Sequence, residues 1–329
     1  MTFARRTFLQ LTAGAAAAAA YPEFASAIDY PTRPITIVVP FAAGGATDVL
    51  ARVVADRMGR SLGQSVIVED VTGAAGSIGV ARVAHATADG YTLSVGTLTT
   101  HVLIGGLYKL DFDLLTDLTP IAELAYEPLL ICVKNALPVK NLQELIAWLK
   151  ANPDQATCGI PGVGSTGNLA GLSLQKMTGT SFRFIPYRGD GPAVQDMMAG
   201  QIDMMIEPSS NFKAQVLAGT IKAIAVAAKT RLATLPEVPT CDEAGLPGYY
   251  ASIWFGMWAP KDTPKDIIAK LNAVTVAALA DPDVNERLTK LGQQIAVRDM
   301  QTPETFGAFQ KAEADKWWPI IKAANIKIE

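Results

Sequence analysis

Two glycine-rich runs hold the residues best able to do chemistry. Ala43-Gly44-Gly45-Ala46-Thr47-Asp48 follows the apolar run Ile35 to Val39, and Gly162-Val163-Gly164-Ser165-Thr166-Gly167 follows Ala156 to Ile160. Each opens a stretch with apolar residues at helical spacing: Val49, Leu50, Val53, Val54 and Met58 after the first, Leu169, Leu172, Leu174 and Met177 after the second. The start of a helix presents unpaired N–H groups and about half a positive charge, so it can hold a carboxylate without a basic side chain. Small residues there let a ligand approach the backbone. Tyr187-Arg188-Gly189-Asp190-Gly191-Pro192 is a third start of this kind. Any one of them is equally an ordinary tight turn between strand and helix. Three of them, shared between two halves of the chain, favour an anion site.

Catalytic readings find less support. Gly162-x-Gly164-x-x-Gly167 fits the dinucleotide fingerprint, but the next strand runs into Tyr187-Arg188 where an acid should meet the ribose. Arginine could take a 2′-phosphate, so an exported NADP-dependent oxidoreductase is the alternative function. Ala75-x-Ser77-x-Gly79 is a nucleophile elbow lacking one glycine, and only His85 and His101 could serve it as base. Neither glycine turn has the P-loop lysine, and no His or Cys pair has metal-ligand spacing. The expectation is a binding protein with no catalytic residue, cofactor or metal.

Elements of an α/β chain position these turns. Strands read at Ile35 to Val39, Ser65 to Val68, Tyr91 to Val95, Leu129 to Val133, Ala156 to Ile160, Phe182 to Ile185, Ile202 to Ile206, Ile221 to Ala227 and Tyr250 to Trp258, most of them separated by helical patterns. Such alternation is the signature of mostly parallel, doubly wound sheets. Thr97 to His101 reads as a polar loop, and His85 as mid-helix. Thr263-Pro264 and Thr302-Pro303 each read as a hydroxyl cap with proline at the first helical position. The last helix, with Trp317 and Trp318, is expected to pack back on the first lobe.

The N-terminus reads as a removable signal over residues 1–27. Arg5-Arg6 precedes the apolar run from Leu11 to Ala20, and Ala25-Ser26-Ala27 closes it. The paired arginines are of twin-arginine type, so a soluble periplasmic protein is expected. About 300 residues then remain, enough for two domains. A net charge of −3 with no basic run argues against nucleic acid or an anionic membrane as partner. Cys132, Cys158 and Cys241 are too scattered for a framework and read as small buried hydrophobes.

The motifs also occur in an order that is specific. Tyr30-Pro31 to Pro34-Ile35, Val38 to Asp48, Asp89-Gly90-Tyr91-Thr92-Leu93, Pro186-Tyr187-Arg188-Gly189 and Glu243 to Tyr249 together resemble the Bug (TctC-type) proteins, extracytoplasmic receptors of tripartite tricarboxylate transporters. The resemblance spans the mature chain. It implies a type II periplasmic-binding-protein fold, with two doubly wound lobes joined by two crossing strands. The lobes would be residues 28–126 plus 248–329, and residues 127–247. The implied partners are a small di- or tricarboxylate or aromatic carboxylate and the membrane components of the transporter. The receptor would work as a monomer and would not insert in the membrane. Carried over by position, ligand contacts come from Phe41, Ala43, Gly44, Gly45, Ala46, Thr47 and Asp48, from Thr97, Thr99, Thr100 and His101, from Gly164, Ser165, Thr166 and Asn168, and from Tyr187, Arg188 and Gly189, with Glu207 beyond. Ala42-Ala43 replaces the usual Pro-Pro, Val102 follows His101 where Asn is common, and Glu207-Pro208 replaces a polar pair. These departures bear on which ligand is taken.

Overall fold

The computed structural model describes residues 30–187 and 189–324, so the expected signal and Arg188 lie outside the described residues. The chain from Arg33 onward forms one compact unit.

Three parallel strands begin it: β1 (Ile35–Val39), β2 (Val66–Asp70) and β3 (Thr92–Thr97), in the order β2-β1-β3. Helix α1 (Ala46–Leu62) connects β1 to β2, burying Leu50, Val53, Val54 and Met58, and stops at Gly63 in a left-handed conformation that suits glycine. Helix α2 (Ser77–Ala84) connects β2 to β3 and is shorter than its pattern suggests, so His85 caps its C-terminal end and is exposed.

The strand expected at Leu129 is the far half of a much longer one, β4 (Leu118–Lys134). After it come α3 (Leu142–Ala151), β5 (Thr157–Ile160), α4 (Thr166–Thr178), β6 (Arg183–Pro186), α5 (Asp190–Met198), β7 (Met204–Pro208) and β8 (Ile221–Val226). Strand β9 (Ser252–Pro260) then returns antiparallel to both β3 and the first half of β4. The second half of β4 pairs instead with β7 and β8, and β5 lies between β7 and β6. One strand therefore belongs to both sheet regions, pairing with β9 from Leu118 to Pro128 and with β7 from Leu129 to Val133.

The C-terminal part adds α6 (Lys265–Leu279), α7 (Pro282–Lys290), the short β10 (Gln294–Ile295) and α8 (Pro303–Ala323). Thr302 caps α8 as its sequence suggests, accepting from Thr305 N–H at 3.2 Å. Thr263 does not cap α6. Its hydroxyl donates to the Pro260 carbonyl at 2.8 Å, and Pro264 occupies the cap position. Helix α7, with its Asp281 cap and a proline in its first turn, buries Val284 and Leu288 one turn apart.

The last helix does pack on the first sheet. Trp317, Phe306 and Ala314 join Val38, Val80, Trp254 and Trp258 in one core. Glu313 accepts from the indoles of Trp254 (3.3 Å) and Trp317 (3.0 Å), while Gln310 accepts from Trp258 at 3.0 Å. A second core gathers around Leu129, Leu145, Cys158 and Tyr249, and a third around Leu130, Met197 and Phe212. All three cysteines are buried and free.

Candidate functional site

The two glycine turns are built with the same device. Gly44 has φ +82°, and its N–H donates to the Asp48 carboxylate at 2.7 Å. Gly164 has φ +81°, and its N–H donates to the Asn168 side-chain carbonyl at 3.0 Å. Each turn thus ties itself down through a side chain four residues on. Asp48 is buried and also pairs with Arg52 at 2.6 Å, while Arg52 reaches Asp70 at 2.8 Å. Asp48 and Asn168 therefore hold the turns in shape. The N–H groups that begin α1 at Ala46 and Thr47, and α4 at Thr166 and Gly167, have no acceptor inside their own helices. Gly45, the cap of α1, brings no side chain to satisfy them. Phe41 is half-buried and Ala43 to Ala46 are exposed, so the first turn is open to a ligand.

In place of the expected loop Thr97 to His101, Thr97 ends β3 and the rest is helical: a π-type turn, Thr99–Leu103, runs on into a helix, Ile104–Leu107. That winding sorts the four side chains. The Thr99 hydroxyl lies 3.3 Å from that of Thr166, joining the β3 end to the start of α4. Thr97 is buried, and among the described residues its hydroxyl has no partner. Thr100 and His101 turn into the core. The His101 ring stacks on Trp258 at 3.7 Å and 7°, with its nitrogens 3.1 Å from the Ser94 hydroxyl and 2.9 Å from that of Thr100. Burial drives its imidazole down to about 3, so it is neutral, and it offers a ligand no free nitrogen.

The third turn is likewise divided. The Tyr187 hydroxyl donates to Asp196 on α5 at 2.7 Å, and its pKa is pushed up to about 12 by burial and that bond. Gly189, at φ +104°, caps α5, whose first residue is Asp190.

An acidic wall stands behind the second turn. Glu207 is only 3% exposed, and its carboxylate lies hard against Gly167, where even a methyl group would collide with Oε1. Among the described residues nothing donates to Glu207 Oε1 or to Asp190 Oδ1. Burial, and then the charge of Asp190, hold the Glu207 carboxyl well above the usual range. Asp190 is raised by burial and bonded by Asn211. Glu127 on β4 accepts from Ser210 N–H at 2.7 Å, and burial raises it too.

Two residues escape sequence reasoning altogether. Gln293 is 1% exposed and donates through its side chain to the Ala46 carbonyl at 3.4 Å, and among the described residues its own side-chain carbonyl has no partner. At Gly292, φ +83°, an added methyl group would stand 3.1 Å from Ser210 and 3.3 Å from the Glu127 carboxylate. Their neighbours in sequence carry no motif, and only the path of the chain past α7 brings them here.

The contacts form two short paths. Gln293 donates to Ala46, and its neighbour Gly292 lies against Ser210 and Glu127; Glu207 lies against Gly167, whose neighbour Thr166 meets Thr99. An open cavity lies elsewhere, lined by Thr119, Thr263, Ile268 and Pro303. Among the described residues, no group of three or more His, Cys, Asp or Glu could hold a metal ion, and no helix is long and apolar enough to cross a membrane.

Two sheet regions sharing a long strand, with Thr99 after β3 touching Thr166 at the start of α4, define a protein of the periplasmic-binding-protein type. The family model described as the tripartite tricarboxylate transporter family receptor, TctC, matches residues 50–326, and the chain belongs to that family. A UPF0065 protein from the TAR-I ttuE-ttuC′ intergenic region of Agrobacterium vitis is 39% identical over 90% of this chain and 86% of its own length. The structure of the periplasmic binding protein BugD is 37% identical, covers 91% of this chain and 100% of its own, and superposes with a TM-score of 0.73. MatC from Rhodopseudomonas palustris, with bound malate, is 36% identical over 89% of this chain and 100% of its own, with a TM-score of 0.74. The chain is thus a solute-binding protein of the TctC/Bug family, with the fold its sequence resemblance implies.

Proposed function

We propose that this chain captures a small organic carboxylate between two lobes and delivers it to the membrane components of a tripartite tricarboxylate transporter, without catalysing a reaction. The lobes are residues 28–126 plus 248–329, and residues 127–247. The protein acts in the periplasm after removal of residues 1–27. The observation that carries this reading is the pairing of the two glycine turns. Each is locked by a side chain that takes its glycine N–H, and the start of α4 after the second turn meets Thr99 through Thr166. N–H groups fixed in advance cost no reorganisation when a carboxylate arrives. The relationship to a protein holding malate supports the ligand class.

In this reading the first turn and the start of α4 take the carboxylate. Thr97 and Thr99 lend hydroxyls, and Arg188 stands beside Tyr187 and Gly189 in the third turn. Thr100, His101, Asp48 and Asn168 act by holding their segments in place. The alternative, an NADP-dependent oxidoreductase, needs a pyrophosphate at the start of α4. The relationship to solute-binding proteins over most of the chain supports binding rather than that chemistry.

Thermal-shift titration against a panel of carboxylates tests the proposal. A ligand at about 100 times its dissociation constant adds about 2.7 kcal/mol of stability. The matching carboxamides are expected to give little shift. Equal shifts from carboxylate and carboxamide would remove the role of the helix starts.

A further inference from the structure

A smaller cavity lies where the chain crosses between the two sheet regions, and none of the residues carried over as ligand contacts lines it. It measures about 180 Å³. Both crossings border it: Tyr126 and Pro128 on β4, and Tyr250 to Ser252 leading into β9, with Pro128 and Ser252 paired in the sheet. Phe309, Glu313 and Lys316 reach it from α8, and Ala227, Ala228 and Lys229 from the segment after β8. Its lining therefore combines three aromatic rings with three alanines.

Few groups set the charge there. Glu313 is already engaged by the indoles of Trp254 and Trp317 and, at 3.7 Å, by Lys316. Tyr250 is held at both ends: its hydroxyl donates to Asp242 at 2.7 Å, and its carbonyl accepts from Lys316 at 3.0 Å. Lys229 is exposed, with its ammonium 5.6 Å from the centre of the Tyr250 ring, and among the described residues no carboxylate pairs with it. An apolar cavity of about 150 Å³ is enough for a benzene ring. This one has room for a single six-membered ring, and the unpaired ammonium beside it favours an anion.

We propose that this cavity is a second binding site, separate from the glycine turns, for a small aromatic carboxylate. The ring packs among Tyr126, Tyr250 and Phe309, and the carboxylate pairs with Lys229. In the two-lobe reading given above, on which this consequence rests, a molecule seated there touches both lobes beside both crossings. It then binds one arrangement of the lobes better than another and biases the protein toward it, so it is an effector of capture and not the cargo.

Benzoate and benzyl alcohol, the same ring with and without the charge, test the proposal by calorimetric titration of the mature protein. Benzoate is expected to bind about three- to fivefold more tightly, the worth of one exposed ion pair. Lys229→Gln should bring the two within about twofold. Ala228→Phe fills the cavity with a ring of its own and should weaken both by about tenfold or more. Lys229 is exposed and Ala228 half-buried, so both variants should keep the melting temperature close to that of the parent. Small-angle scattering at saturating benzoate should show a changed radius of gyration in the parent and an unchanged one in Ala228→Phe. Benzoate binding that persists undiminished in both variants would place it elsewhere, overturning the second site while the carboxylate reading stands. An absence of benzoate binding, or equal binding of the alcohol, would overturn it too. A radius unmoved by bound benzoate would overturn the effector role, and if no carboxylate moves it either, the reading of two moving lobes falls with it.

Discussion

Glu123 offers a measurable consequence of burying an acid in the strand shared by both sheet regions. It lies on β4 opposite Gly256 of β9 and is 4% exposed. Burial, and then the charge of Glu313, raise its carboxyl to about 8 from an ordinary 4.5. Glu313 is itself held as an acceptor by two indoles, so Glu123 is the member of the pair that takes the proton. Between pH 4.5 and 8 the native state therefore holds a proton that the unfolded chain has released. Stability contributed by the protonated form is complete below 4.5 and is lost as the pH rises toward 8. Each pH unit in that window costs about 1.4 kcal/mol, so the loss is roughly 3 kcal/mol by pH 7.

Glu123→Gln is neutral at every pH and turns its amide toward Glu313, so it should escape this loss. Urea unfolding of parent and variant at pH 5 and pH 8 reads the effect, because other titrating groups cancel in the difference. The advantage of the variant should grow by roughly 3 kcal/mol between the two conditions. Glu313→Gln should keep most of the pH dependence, since it removes only the smaller of the two causes. An advantage constant to within about 0.5 kcal/mol between pH 5 and 8 would refute the reasoning.

The first glycine turn gives a second prediction. Nothing lies within 4 Å of a methyl group added at Gly44, so the cost of Gly44→Val is set by the backbone at φ +82°. It should be about 1–3 kcal/mol in urea unfolding, with Gly44→Asn clearly milder because asparagine tolerates that region. Equal losses would place the cost in bulk instead. Export should leave Ile28 as the N-terminus in mass spectrometry of the extracytoplasmic protein, and Arg5→Lys with Arg6→Lys should block it. A mature form starting at Met1, or normal export of the double variant, would count against the signal or its type respectively. Small-angle scattering should show a smaller radius of gyration once a ligand binds. An unchanged radius at saturation would argue against a closing cleft.

What could be read from the sequence is what short stretches of chain decide locally. The strand-turn-helix units around Gly44 and Gly164 were legible because a run of apolar residues, a glycine at positive φ and a helical repeat are all neighbours in sequence. The family order of motifs supplied the fold, and the burial of the three cysteines followed from their scatter. Tertiary structure decided the rest. A histidine beside three threonines looks like a ligand until the winding of Thr99–Leu103 turns it onto Trp258. The carboxyl groups of Glu207 and Asp190, each raised by burial, belong to different elements, and Gln293 reaches Ala46 across 247 positions of chain. Local pattern fixes backbone shape through sterics and propensity. Whether a polar side chain finds a partner, a ligand or the core depends on residues far away in sequence, and only the packed chain brings them together.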